Sequence, residues 1–251
     1  MDKFYTNTFF PTLKERNINT VLNLGDTFDR RKYINYHTLK RSRQIFFDPL
    51  KENNIVMKML AGNHDTYYKN TNDTNSIDLL LNDYDNITTI PEATDITVDG
   101  REIFMLPWIC TDNYEESMKR MQESTAEICM GHLEISGFVM HRGVKSHGGL
   151  NRERFNKFAL VYSGHYHHRN NDGHVYYLGN PYELTWADYK DTRGFHIWDT
   201  ETMNLEFIAN PYTMFERVEY DDITNTYTDY DASIMKLSLI HISEPTRPLY
   251  I

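Results

Sequence analysis

Short apolar runs of strand length recur along this chain, and most of them stop at a glycine. Thr20-Val21-Leu22-Asn23-Leu24 ends at Gly25, and Val56 to Leu60 runs into Ala61-Gly62. Ile128-Cys129-Met130 ends at Gly131, and Ala159 to Tyr162 ends at Ser163-Gly164. Runs of this length with this punctuation predict strands. Val175 to Leu178 and Gly194 to Trp198 predict two more, and Ile96 to Val98 with Ile103 to Leu106 predicts a hairpin closed by Asp99-Gly100. Helical spacing of apolar residues occupies Phe4 to Arg16, Thr38 to Asn53, Ser76 to Leu81 and Tyr114 to Ser124. Helix and strand alternate early and strands dominate later, which predicts sheets covered by helices. No internal repeat is visible.

Composition narrows the class. The chain has 251 residues, 40% of them hydrophobic and 14% aromatic, enough for a large core and too apolar for disorder. No apolar run approaches the roughly 18 residues of a membrane span, and the first ten residues carry no apolar signal segment. With only Cys110 and Cys129, no disulfide framework is expected, and a reducing cytoplasm is the expected compartment. The net charge of -10 excludes a non-specific nucleic-acid coat. It leaves a nucleic-acid enzyme open, because the field at a site is local and bound metal offsets acidic groups.

Four of the predicted strands deliver polar motifs at their carboxyl ends: Gly25-Asp26-Thr27-Phe28-Asp29, Gly62-Asn63-His64-Asp65, Gly131-His132 and Gly164-His165-Tyr166-His167. Ligands of α/β sheets bind beyond these ends. Taken singly, each motif has a plain reading as a turn, an Asx turn or a loop histidine. Together they would gather carboxylate, amide and imidazole donors, a set suited to divalent ions of intermediate hardness. A carboxylate such as Asp26 can bridge two ions about 3.5–4 Å apart, the spacing used in phosphoryl hydrolysis. The absence of cysteine from the motifs argues against structural zinc.

The order GDTFD, GNHD, GH, GHYH resembles the calcineurin-like metallophosphoesterases. Pro107-Trp108, Gly131-His132-Leu133-Glu134, Lys145-Ser146-His147-Gly148, Tyr177-Leu178-Gly179-Asn180-Pro181 and Arg193-Gly194-Phe195 resemble the SbcD-type nuclease branch, including the recombination endonuclease subunits of T-even-type bacteriophages. The resemblance spans about residues 1 to 220. It implies a four-layer αββα sandwich, an α/β (α+β) fold with two facing mixed sheets. It also implies two divalent metal ions, manganese preferred with magnesium as the alternative. Asp26 would bridge them, Asn63, His132 and His165 would complete one site, and His167 would serve the other. His64 would act at the transition state or protonate the leaving oxygen, and Asp65 would orient it. Asp29 would stand behind the ligands, and His168 would lie at the surface. Arg30, Arg31 and Lys32, with His141, Arg142, Lys145 and His147, are candidate contacts to DNA phosphate.

The implied activity is hydrolysis of DNA phosphodiesters, as exonuclease and endonuclease, within a recombination and double-strand-break repair complex in the host cytoplasm. The implied partners are DNA, an SbcC-type coiled-coil ATPase and a second copy of the chain, with no membrane. Two other readings are a small-molecule phosphodiesterase of the same fold and a non-catalytic scaffold, since fold does not fix substrate. The family's opening strand with its Asp-x-His motif has no counterpart here, so an N-terminally truncated nuclease domain over 1–209 with impaired activity is expected. The start of a capping domain is expected over 210–236. Residues 237–251, Leu-Ser-Leu-Ile-His-Ile-Ser-Glu-Pro-Thr-Arg onward, resemble a translated sequencing adaptor and are expected to be artefact.

Overall fold

A computed structural model describes residues 1–141, 144–216, 220–221 and 226–227. In chain order its principal strands are β1 (Thr20–Asn23), β2 (Val56–Leu60), β3 (Ile87–Ile90), β4 (Thr94–Val98), β5 (Arg101–Leu106), β6 (Ile128–Gly131), β7 (Val139–His141) and β8 (Val144–Lys145). They continue with β9 (Leu160–Ser163), β10 (Asn170–Asn171), β11 (Val175–Tyr177), β12 (Gly194–Trp198) and β13 (Leu205–Ala209). The strands form a parallel sheet β1-β2-β3, a mixed sheet β10-β11-β9-β6-β5-β4 and the hairpins β12-β13 and β7-β8. Of the two main sheets only the larger is mixed. β3 and β13 escaped the sequence pattern: Ile87-Thr88-Thr89-Ile90 is too polar to stand out, and its extended form comes from pairing with β2.

Alternation along the strands sorts side chains into three apolar layers. In β5, Ile103 and Met105 face one layer while Phe104 and Leu106 face another; in β6, Met130 and Cys129 divide the same way. The layer holding Ile103, Met105, Ile128, Met130 and Tyr162 also takes Leu60, Leu22 and Leu24, so it lies between the two sheets. Helix Tyr114–Glu123 buries Met118 and Met121 on the far side of the mixed sheet. The first two helical runs bury Phe4, Phe9, Phe47 and Leu50 against Met57 and Met59 of β2. Helix, sheet, sheet, helix is the expected four-layer order.

The helices expected over Phe4 to Arg16 and Thr38 to Asn53 form, but not as plain α-helices. Each instead contains a π segment, Tyr5–Phe9 and Arg43–Phe47, two residues before Pro11 and Pro49 respectively. A proline lacks the N–H and its ring crowds the carbonyl four residues back, so a widened turn ahead of it relieves both problems. The hairpin β4-β5 turns through Asp99 (φ 48°) and Gly100 (φ 79°), as the Asp-Gly pair predicts. Both cysteines are buried and free. No helix among the described residues is long and apolar enough to cross a membrane. The reading of 210–236 as a capping domain is described only to residue 216 and at two short strands, and 237–251 lies outside the described residues.

Candidate metal centre

β1 and β2 run parallel, as do β6 and β9, and the loops at their carboxyl ends meet across the interface between the sheets. The approach is close. A Cβ on Gly62 would sit 2.2 Å from the Asp26 backbone nitrogen and 2.3 Å from its Oδ1. Asp26 itself adopts a positive φ of 55°, and its Oδ1 accepts a bond from the His64 backbone N–H at 2.7 Å. Trp108 N–H donates to the Ala61 carbonyl at 2.8 Å and ties the end of β5 to the end of β2.

At the centre, Asp26, His132 and His165 present ligand atoms that all lie within 4.8 Å of one another. His132 Nε2 lies 3.2 Å from Asp26 Oδ2, 2.9 Å from Asn63 Oδ1 and 3.1 Å from His165 Nδ1; His165 Nδ1 is also 3.1 Å from Asn63 Oδ1. The other nitrogen of His132, Nδ1, is 2.7 Å from the Leu24 carbonyl. A carbonyl only accepts, so Nδ1 carries the hydrogen and Nε2 of the neutral ring presents a lone pair. Four lone-pair atoms then converge on one point, an arrangement that repels unless a cation fills it. The residues present fit a divalent ion.

Electrostatics show that the cluster holds positive charge, whether a proton on His132 Nε2 or an ion in its place. Burial opposes ionisation of Asp26, yet neighbouring His132 holds its carboxyl down to about 2. Burial likewise opposes charge on His132, and the Asp26 carboxylate outweighs it, so His132 is raised. Burial and the facing His132 push His165 down to about 4. Trp108 walls the cluster, with ring centroids 5.3 Å from His165 and 6.2 Å from His132. The strand-end rule applied to β5 points to Trp108; sequence reading gave it no role.

Several expected roles are placed differently. The Asp65 carboxylate is fully buried and accepts from the backbone N–H groups of Gly62, Thr27 and Phe28 at 2.9–3.2 Å, so it braces the loop carrying Asp26. Burial, reinforced by the Asp26 charge, pushes this carboxyl up to about 6. His64 is instead held through Nδ1, which donates to the Asp29 carbonyl at 2.6 Å. Asp29 thus contributes its backbone, while its exposed side chain pairs with Arg30 at 3.7 Å. His168 is a correction: it is half-buried rather than at the surface, because Nδ1 lies 2.5 Å from Asp191.

The loop bearing His165 and His167 is anchored by Arg193. This guanidinium, 3% exposed, donates to the His167 carbonyl and to Asn180, and pairs with Asp188 at 2.6 Å and Asp191 at 2.8 Å. His167 stands outside the tight three-residue cluster. Arg30 and Lys32 are exposed and Arg31 is half-buried beside the site; Lys145, in β8, and His147, just after it, are exposed. Arg142 and the side chain of His141 lie outside the described residues.

A family model described as calcineurin-like phosphoesterase matches residues 3–169. The chain is similar to "Exonuclease subunit 1" of Enterobacteria phage T4, with 37% identity over 207 residues, covering 82% of this chain and 60% of that protein. It is also similar to "DNA double-strand break repair protein Mre11" of Methanocaldococcus jannaschii, with 30% identity over 204 residues, covering 74% of this chain and 52% of that one. The chain therefore spans between half and two thirds of the length of these relatives.

Proposed function

The chain belongs to the calcineurin-like phosphoesterase family, and on that premise we propose that it forms the hydrolytic part of a metal-dependent DNA nuclease. The observation that carries this reading is the convergence of Asp26, Asn63, His132 and His165, four lone-pair donors from four strand ends. The names of the two curated relatives, an exonuclease subunit and a double-strand-break repair protein, support DNA as substrate. The words subunit and double-strand break repair in those names also support work within a repair complex; an SbcC-type ATPase and a second copy of the chain are the partners we propose for it.

Asp26, Asn63, His132 and His165 would hold one ion, and Asp26 with His167 would contribute to a second. Manganese is the proposed ion, as the family resemblance implies, and the carboxylate and amide oxygens suit it. When bound, such ions polarise the scissile phosphate and supply a nucleophilic water. The remaining work falls to the chain. His132 is kept in its ligating tautomer by the Leu24 carbonyl. Asp65 holds the Gly25–Phe28 turn, and so the position of Asp26, through backbone bonds. His64, with Nδ1 committed to Asp29, has Nε2 left to hold a proton and give it to the departing oxygen. The Asp26, Asn63, His132 and His165 site has the fuller donor set and is the tighter of the two.

The test is manganese titration by calorimetry alongside cleavage of labelled duplex DNA and of a chromogenic phosphodiester. The reading expects strong binding at one site, weaker binding at the other, and DNA cleavage that His132→Ala abolishes. Cleavage of the small diester with no action on DNA would favour the small-molecule hydrolase. Absence of metal binding would overturn the proposal.

A further inference from the structure

Beside the metal cluster lies a surface that the ligand chemistry does not use. In a chain of net charge -10, residues 30–43 contain Arg30, Arg31, Lys32, Lys40, Arg41 and Arg43 and no acidic residue. Arg41 and Arg43 are engaged with Asp2 and Asp83. The first three cations lie directly after the turn that carries Asp26, and they are interleaved with exposed tyrosines. Tyr33 is 63% exposed, Tyr67 37% and Tyr68 53%.

Two segments are knitted into this one surface. Arg31 donates to Thr66 Oγ1 at 3.2 Å and to the Tyr68 carbonyl at 3.5 Å, bridging the segment after β1 to the segment after β2. Lys32 Nζ lies 5.4 Å from the Tyr67 ring centroid, and Arg30 lies over the Tyr33 ring at 5.3 Å while donating to its hydroxyl. Tyr67 and Tyr68 meet edge to face at 4.7 Å. His64 joins the surface to the metal cluster, its side chain held by the Asp29 carbonyl and its backbone N–H by Asp26. Among the described residues Asp29 is the carboxylate paired within the patch, and it offsets part of the Arg30 charge.

Buried aromatic rings serve packing. Here three rings stand in solvent among cations, held in place by cation–π and edge contacts. Cations alone suffice for the backbone of a duplex, whose base faces are hidden in the stack. A tyrosine hydroxyl can add one more bond to phosphate, but the ring faces serve unstacked bases, which present a π-face whatever their sequence. We propose that Tyr33, Tyr67 and Tyr68, with Arg30, Arg31 and Lys32, form a platform for unpaired nucleotides entering the metal site. The preferred substrate would then be a single strand or a frayed end rather than an intact duplex. This deepens the nuclease reading and rests on it for the catalytic step alone.

The experiment is fluorescence anisotropy with a labelled oligothymidylate and with a blunt duplex, in EDTA so that nothing is cleaved. It uses the wild type, the Tyr67→Ala/Tyr68→Ala and Tyr67→Phe/Tyr68→Phe pairs, and Arg30→Ala/Lys32→Ala. The alanine pair is expected to weaken single-strand binding about tenfold or more and to leave duplex binding unchanged. The phenylalanine pair, which keeps the π-faces, should restore it. The cation pair should weaken both ligands and flatten the salt dependence. Thermal midpoints and manganese affinity report that the variants are folded. Equal weakening of both ligands by the alanine pair, or no weakening at all, would overturn the platform. Tyrosine-dependent single-strand binding in a protein that cleaves no DNA with manganese would keep the platform and sink the nuclease reading. Cleavage by a protein indifferent to the tyrosines would do the reverse.

Discussion

The two ends of the sheets use glycine for opposite reasons. At the carboxyl ends of β1 and β2, Gly62 is hemmed in: a methyl group there would strike the Asp26 backbone and carboxylate. At the other end, the turn between β4 and β5 holds Gly100 at φ 79° with nothing within 4 Å of where a Cβ would stand. One glycine is required by what surrounds it, the other by its own backbone conformation. Crowding at the first end brings ligand atoms from separate strands within reach of one ion. The open end needs only to reverse the chain. The proposed metal site therefore lies where an added methyl group has least room.

The largest way to test that contrast is Arg193→Met. It would leave the Asp188 carboxylate, 2% exposed, buried without its partner. Breaking a buried ion pair in this way costs about 3–5 kcal/mol; urea unfolding should show that loss, and calorimetry a weaker second manganese site. Gly62→Ala comes next. Overpacking of this kind costs about 1–3 kcal/mol, and because the displaced group is Asp26, manganese binding should fall along with stability. If Gly62→Ala bound manganese like the wild type, the close approach would not be what assembles the site.

At the open end the effects shrink. Gly100→Ala should cost about 1 kcal/mol from its left-handed backbone and leave manganese affinity untouched, which the same titration checks. Asp172, in the turn between β10 and β11, accepts the backbone N–H groups of His174 and Val175 and pairs with Arg152. Burial opposes its ionisation, but Arg152 and these N–H groups hold its carboxyl down to about 2. A carboxyl lowered by folding contributes stability that is complete above its unfolded value near 4 and is lost as the pH falls toward 2. Asp172→Asn should remove that part of the acid dependence, lowering the melting point at neutral pH, where the contribution is complete, and leaving it nearly unchanged near pH 2. An identical acid limb in both proteins would show that the Asp172 charge contributes nothing.

The sequence disclosed the contrast unevenly. Asp99-Gly100 announced its turn because the signal is local: two adjacent residues whose types allow positive φ. The strand-end motifs were equally local, whereas the division of Ile103 and Met105 from Phe104 and Leu106 was not legible, because all four are apolar and only the two packed layers separate them. The family resemblance implied that Asp65 orients His64, and nothing local showed what its carboxylate holds. It accepts from Thr27 and Phe28, 38 and 37 positions away. His168 was misplaced for the same reason, because Asp191 reaches it from 23 residues on.

By itself the sequence determined the periods, the breaks and the donor types: strands of three to five residues, glycines at the ends of four of them, and Asp, Asn and His immediately after. These follow from backbone sterics and side-chain chemistry acting over a few residues. Only the tertiary structure decided which donors meet. Asn63 faces His132 across 69 positions and His165 across 102, and the tautomer of His132 is set by a carbonyl 108 positions away. Sheet order and the packing of one sheet on the other bring those atoms within 3.1 Å. That arrangement is a property of the whole core, and no window along the chain contains it.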